Sequence, residues 1–361
     1  MANLAAKRAL AASAALGLLI AAAAPAAARN INAENLYSVH NLISDGSVPG
    51  TVTDTHLVNG WGITAGPTTP WWVANNGTDS STLYNGDGTI RPLVVSVHNA
   101  PTGTVFNGSG DFVVHDGAAS GPARFIFATE EGTILGWNPN VPAAGSTQAT
   151  LGVSRANVGA IYKGLAIGST GGANYLYAND FHNARVDVFN GSFVLQSWAG
   201  AFVDPGIPAG YGPFGIQNLG GVIYVTYAKQ DVDAEDEIAG EGLGFVSAFG
   251  TDGSFMGRVA SRGELNAPWG LAWAPPTFGK FSGDLLVGNF GDGRIHAFAA
   301  GEDGWEARGL LKGTDHRPIS IDGLWGIGFG NGFASGPTST LYFAAGPDEE
   351  SHGLFGSITA P

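Results

Sequence analysis

A glycine followed by a branched apolar residue recurs along this chain at nearly constant spacing. It appears as Trp61-Gly62-Ile63, Lys163-Gly164-Leu165, Phe214-Gly215-Ile216, Trp269-Gly270-Leu271 and Trp325-Gly326-Ile327. The glycines are 102, 51, 55 and 56 residues apart. Because 102 is twice 51, the spacing predicts a further anchor near position 113. Asp111-Phe112-Val113-Val114 stands there, an apolar strand without the glycine. Six units of 50 to 56 residues match the period of four-stranded propeller blades, which bury their faces only by stacking on neighbours around a ring. The expected fold is therefore all-β, a six-bladed β-propeller.

Within each unit the same order of strands recurs. A second strand ends in a polar turn, as in Trp71-Trp72-Val73-Ala74-Asn75-Asn76 and Tyr175-Leu176-Tyr177-Ala178-Asn179-Asp180. A third strand follows, such as Thr133 to Trp137 or Arg294 to Phe298. Asn-Gly and Asp-Gly turns then supply the positive φ angles of tight hairpins, and a fourth strand completes the blade. The sixth unit stops short of its fourth strand, whereas Leu36 to Ile43 is a strand with no blade of its own. Pairing the two closes the ring and covers an edge that would otherwise invite aggregation.

The amino terminus reads as an export signal. Lys7 and Arg8 precede an uncharged apolar run from Ala9 to Ala24, and Pro25-Ala26-Ala27-Ala28 ends in small residues. Residues 1–28 are expected to be a cleaved signal peptide and residues 29–361 a single propeller domain, periplasmic or secreted. Later stretches lack the roughly 18 unbroken apolar residues of a spanning helix. With no cysteine in the chain, packing alone must hold it together. Its net charge of −14 becomes −16 without the leader, which repels nucleic acid and favours cationic partners or divalent metals. The same charge also serves solubility.

Asn179-Asp180 followed by Arg185-Val186-Asp187-Val188-Phe189 resembles the blades of NHL-type propellers. The stretch from Asn41-Leu42-Ile43-Ser44-Asp45 through Asn59-Gly60-Trp61-Gly62-Ile63, with the rest of the mature chain, resembles a family of uncharacterised exported bacterial six-bladed propellers. Some members carry a PEP-CTERM sorting tail. This sequence closes on Ser357-Ile358-Thr359-Ala360-Pro361, so that sorting route is not implied. The resemblance implies the fold and brings no activity with it.

In such a ring the residues just before each anchor should surround the channel mouth: Trp61, Asp111, Lys163, Phe214, Trp269 and Trp325. They suit a planar or sugar-like ligand if open, or wedge between blades as core if closed. Asp111 and Lys163 would form an ion pair between adjacent blades. His182 and His352 fall in turns of the same face, where a metal ligand or general base would be placed. A longer acidic insertion carries Asp231, Asp233, Asp236 and Glu237, hard oxygen donors that suit Ca²⁺. Its spacing departs from an EF-hand, and a solvated acidic loop is the competing reading.

The sequence contains no Gly-x-Ser-x-Gly elbow, no His-Glu-x-x-His and no phosphate-binding loop. The function expected is a binding or interaction module, monomeric, taking a small molecule, glycan or protein on its channel face. The alternative is a metal-dependent hydrolase or lyase using His182, His352 and turn carboxylates.

Overall fold

The computed structural model describes residues 33–302 and 304–361. The expected signal peptide at 1–28 lies outside the described residues. Six sheets form the ring. From the axis outwards, blade one is Gly60–Thr64, Trp71–Asn75, Ser80–Tyr84 and Ile90–Ser96. Blade three is Tyr162–Thr170, Ala173–Asp180, Arg185–Asn190 and Leu195–Gln196. Blade five is Pro268–Trp273, Leu285–Asn289, Ile295–Gly301 and Gly304–Leu310. Blade four adds a short strand, Glu237–Ile238, paired with the end of its long second strand, Val222–Gln230.

Blades adhere through apolar and aromatic faces. Trp72 of blade one stacks on Phe125 of blade two with ring centroids 3.9 Å apart. Between blades five and six, Ala272, Leu286 and Ala297 meet Ile327, Leu341 and Phe343. Strand residues of period two place these side chains on the faces that touch a neighbouring blade.

The ring closes as the repeat count requires. Ser38–Ser44 pairs antiparallel with Leu354–Thr359, placing Val39 opposite Ile358 and Ser44 opposite Leu354. Ile43 is fully buried there, and Tyr37 sits between blades, its ring tilted against Phe278 and its hydroxyl donating to the Phe278 carbonyl at 3.1 Å. Val52–Thr53 then runs parallel along the outside of this strand.

Blade two corrects the sequence reading. Its inner strand is Pro101–Phe106, not Asp111 to Val114. The anchor glycine is Gly103, 41 residues after Gly62 and 61 before Gly164. Asn99-Ala100-Pro101-Thr102-Gly103 reads as a turn because proline and glycine dominate it. Val113–Asp116 is indeed a strand, but it pairs with Ala119–Pro122 as a separate hairpin inserted between the first two strands of the blade.

With Gly103 restored, all six anchors do one job. A Cβ at Gly62 would lie 2.6 Å from the Thr102 carbonyl oxygen, at Gly164 2.7 Å from that of Phe214, and at Gly270 2.7 Å from that of Trp325. At Gly326 it would lie 2.6 Å from the Trp61 carbonyl oxygen, and at Gly215 it would run into that of Trp269. Each inner strand thus presses its glycine against the next strand's backbone, an approach only glycine permits. What remains of the channel is a void of about 20 Å³ beside Ile63, Leu165, Ile216 and Ile327, roughly the space of one water.

Candidate functional site

Six residues precede the six anchor glycines and meet at the axis: Trp61, Thr102, Lys163, Phe214, Trp269 and Trp325. They form a plug and leave no open mouth. Trp61 stacks on Trp325 at 3.6 Å, and Trp269 stands edge-on to both at 6.2 and 5.8 Å. Phe290 covers the other side of Trp325 at 4.0 Å. Trp61, Phe214 and Trp325 are buried and Trp269 is partly exposed. The Trp269 indole N–H reaches across the axis to the Lys163 carbonyl, 2.9 Å away. The expected open aromatic site is therefore mostly packed core, with Trp269 alone of these four showing an accessible edge.

Asp111 is absent from this ring. It sits at the base of the inserted hairpin, accepting a hydrogen bond from the Asn174 side chain at 2.7 Å. Connections between first and second strands lie on the face opposite the mouth, so no Asp111–Lys163 pair forms. Thr102 takes its place, its hydroxyl donating to the Tyr162 carbonyl at 2.6 Å.

Lys163 is the centre of the polar layer above the plug. Its side chain is 2% exposed, and its ammonium stands 5.3 Å from the Trp61 ring centre. It donates to Glu130 Oε1 at 2.6 Å and Asp236 Oδ1 at 3.0 Å. Burial opposes its charge, yet Glu130, Glu237 and Asp236 outweigh burial and hold the lysine protonated well above its usual range.

The carboxylates outnumber the lysine. Burial pushes Glu237 up to about 8 despite the attraction of Lys163. Burial also raises Glu350, opposed by a hydrogen bond from Asn59 and reinforced by repulsion from Glu130. Asn59 anchors this side: it donates to Glu350 Oε2 at 2.7 Å and accepts from the Trp325 indole at 3.0 Å. Asn76 donates to Glu130 Oε2 at 2.8 Å. The Trp61 indole N–H, though buried, has no hydrogen-bond partner among the described residues. Blades one, two, three, four and six all contribute to this cluster.

Local backbone explains how these groups reach the axis. The short strand Glu237–Ile238 folds the acidic insertion back over Lys163. Asp348, Glu349 and Glu350 are three consecutive left-handed residues, with φ of 56°, 52° and 65°. Each such residue costs about 1–2 kcal/mol, and strain of this kind persists where the surroundings enforce it, often at functional sites.

The sequence-expected metal ligands do not gather. Asp231 Oδ1 accepts the Glu235 amide within its own turn, while Asp236 and Glu237 turn towards Lys163. His182 Nδ1 faces the Ala234 carbonyl at 3.3 Å, and His352 Nδ1 faces Asp45 Oδ2 at 2.7 Å. The Asp45 contact raises His352 above its ordinary value. Among the described residues, no three His, Asp or Glu side chains are arranged to hold a metal ion. Asn59 and Glu350 were missed as individual residues by sequence reasoning. Their signals were the Asn-Gly pair entering blade one and the acidic turn of blade six.

No protein-family model matches the chain. It is 36% identical over 343 residues to "Uncharacterized protein L690" of Acanthamoeba polyphaga mimivirus, covering 89% of this chain and 85% of that one. The chain belongs to the family of that mimivirus protein. "Uncharacterized protein R648" of the same virus is 32% identical over 338 residues, covering 89% of this chain and 80% of its own. These family members are viral, whereas the sequence resemblance was to bacterial propellers. Among solved structures, virginiamycin B lyase from Staphylococcus aureus superposes with a TM-score of 0.51 at 16% identity, over 90% of this chain and 99% of the lyase. A glucose dehydrogenase gives 0.53 at 12% identity, over 90% of this chain and 100% of its own. Such likeness is one of fold. Among the described residues, no helix is long and apolar enough to cross a membrane.

Proposed function

We propose that the protein is an exported binding module, akin to the bacterial propellers its sequence resembles, whose channel face takes an organic cation of the ammonium or guanidinium class. One observation carries this reading: four carboxylates, Glu130, Asp236, Glu237 and Glu350, gather around Lys163, whose ammonium lies over the Trp61 ring. Even with Glu237 protonated, three carboxylates face one ammonium. Partly buried like charges repel one another unless a counter-charge joins them. Aromatic and carboxylate groups together suit a cation with an apolar body.

The metal-dependent hydrolase or lyase reading loses support, because His182 and His352 lie apart and each is engaged locally. The test is a tryptophan-fluorescence titration with agmatine, putrescine and tetramethylammonium at low salt. Binding that weakens at least about tenfold in Glu350→Gln, equivalent to about 1.4 kcal/mol, is the expected result. A response to neutral sugars alone, or to none of the probes, would overturn the reading.

A further inference from the structure

The opposite face carries a second, separately built cleft. It lies between the inserted hairpin of blade two, the outer strand Thr150–Ser154 and the turn Gly191 to Phe193 of blade three, and encloses about 320 Å³. That volume is at the lower end for small-molecule sites, about 300 Å³. Of the residues along the hairpin strand, Val114 is buried in the core, so alternation turns Val113 and His115 towards the cleft.

The cleft is held in shape before any ligand arrives. The Phe112 amide donates to the Gly191 carbonyl at 2.6 Å, and Asp111 is tied to Asn174. A Cβ at Gly191 would lie 2.8 Å from Asp111 Cγ, and one at Gly152 would lie 2.7 Å from the Phe193 ring. Glycine at both places lets the walls meet. The second carboxylate oxygen of Asp111, Oδ1, accepts no hydrogen bond among the described residues. Leu151 forms an apolar wall and is 54% exposed.

We propose that this cleft binds one saccharide unit. A single carboxylate, the Ser192 hydroxyl and the His115 imidazole offer hydrogen bonds in this cleft, and Leu151 and Val113 add aliphatic surface to its lining. A sugar ring presents both kinds of group, with hydroxyls at its edge and C–H groups on its face. A cation would find only one acid here, unlike the cluster on the channel face. The site is independent of the channel-face reading.

Saturation-transfer NMR and calorimetry with glucose, galactose, mannose and N-acetylglucosamine test it on the full chain. Binding with Kd on the order of 1 mM or tighter is expected. Asp111→Asn, whose amide oxygen retains the Asn174 contact, and Leu151→Asp, at an exposed position, should each weaken it at least about tenfold. Glu350→Gln should leave it unchanged. If Asp111→Asn fails to fold, Leu151→Asp decides. No binding by any of the four sugars, binding unaffected by Leu151→Asp, or binding lost in Glu350→Gln overturns the proposal.

Discussion

Replacing Gly270 with alanine tests whether backbone contact between blades is what the repeated glycine provides. In an ordinary strand this change stabilises by about 0.5–1 kcal/mol, because glycine surrenders more freedom on folding. Here the new Cβ would lie 2.7 Å from the Trp325 carbonyl oxygen and 3.0 Å from Ile327 Cγ1. The first of these is backbone, held by its own sheet, and overpacking of this kind costs about 1–3 kcal/mol. The net expectation is a loss of about 1–2 kcal/mol, opposite in sign to the intrinsic effect. With a urea m-value of about 3 kcal/mol per M, the midpoint should fall by about 0.3–0.7 M. Gly215→Ala should fall further, since its Cβ would meet the Trp269 carbonyl more closely. Gly110→Ala is the control: nothing lies within 4 Å of its Cβ position, and its midpoint should stay or rise slightly. A Gly270→Ala midpoint at or above that of the parent protein refutes the close-contact argument.

Deleting residues 33–44 removes the strand paired with Leu354–Thr359; a loss of about 5 kcal/mol would lower Tm by about 10 °C or more, read by thermal melting and light scattering. Lys163→Met leaves the surrounding carboxylates without their ammonium and should cost about 3–5 kcal/mol at neutral pH, measured by urea denaturation, with the deficit shrinking near pH 5. Glu237 is raised from the ordinary value of 4.5 to about 8, so the folded protein holds a proton that the unfolded chain releases. Its contribution to stability is complete below pH 4.5 and is lost as pH rises through about 8. A series of melts from pH 5 to 8.5 should therefore decline less steeply in Glu237→Gln than in the parent.

The architecture was legible because it is written locally and repeated. Glycine anchors, strand ends in Ala-Asn and Asn-Gly turns each act within a few residues, and six copies reinforce one another. The missing outer strand of blade six was legible by the same counting. Blade two was misread because a hairpin insertion adds an alternating strand that periodicity cannot distinguish from an inner strand. Its true anchor, Gly103, hides in a segment with the composition of a turn.

The polar layer was a different matter. Local pattern placed polar turns at the ends of the second strands and one acidic insertion in the chain, yet gave no sign that Glu130, Asp236, Glu237 and Glu350 would share one lysine, or that Asn59 would bridge Glu350 to Trp325. Their separations along the chain reach 291 residues for Asn59 and Glu350, and contact at such distance depends on ring closure and on the left-handed turn at 348–350. Burial likewise separated Trp269 from Trp61 and Trp325, three tryptophans in identical repeat positions. The sequence by itself determined the number of blades, the strand order of all but blade two and how the ring closes, since these follow from short-range periodicity. Only the tertiary structure decided which side chains meet at the axis, because equivalent positions in six blades converge on a space too narrow to admit them all alike.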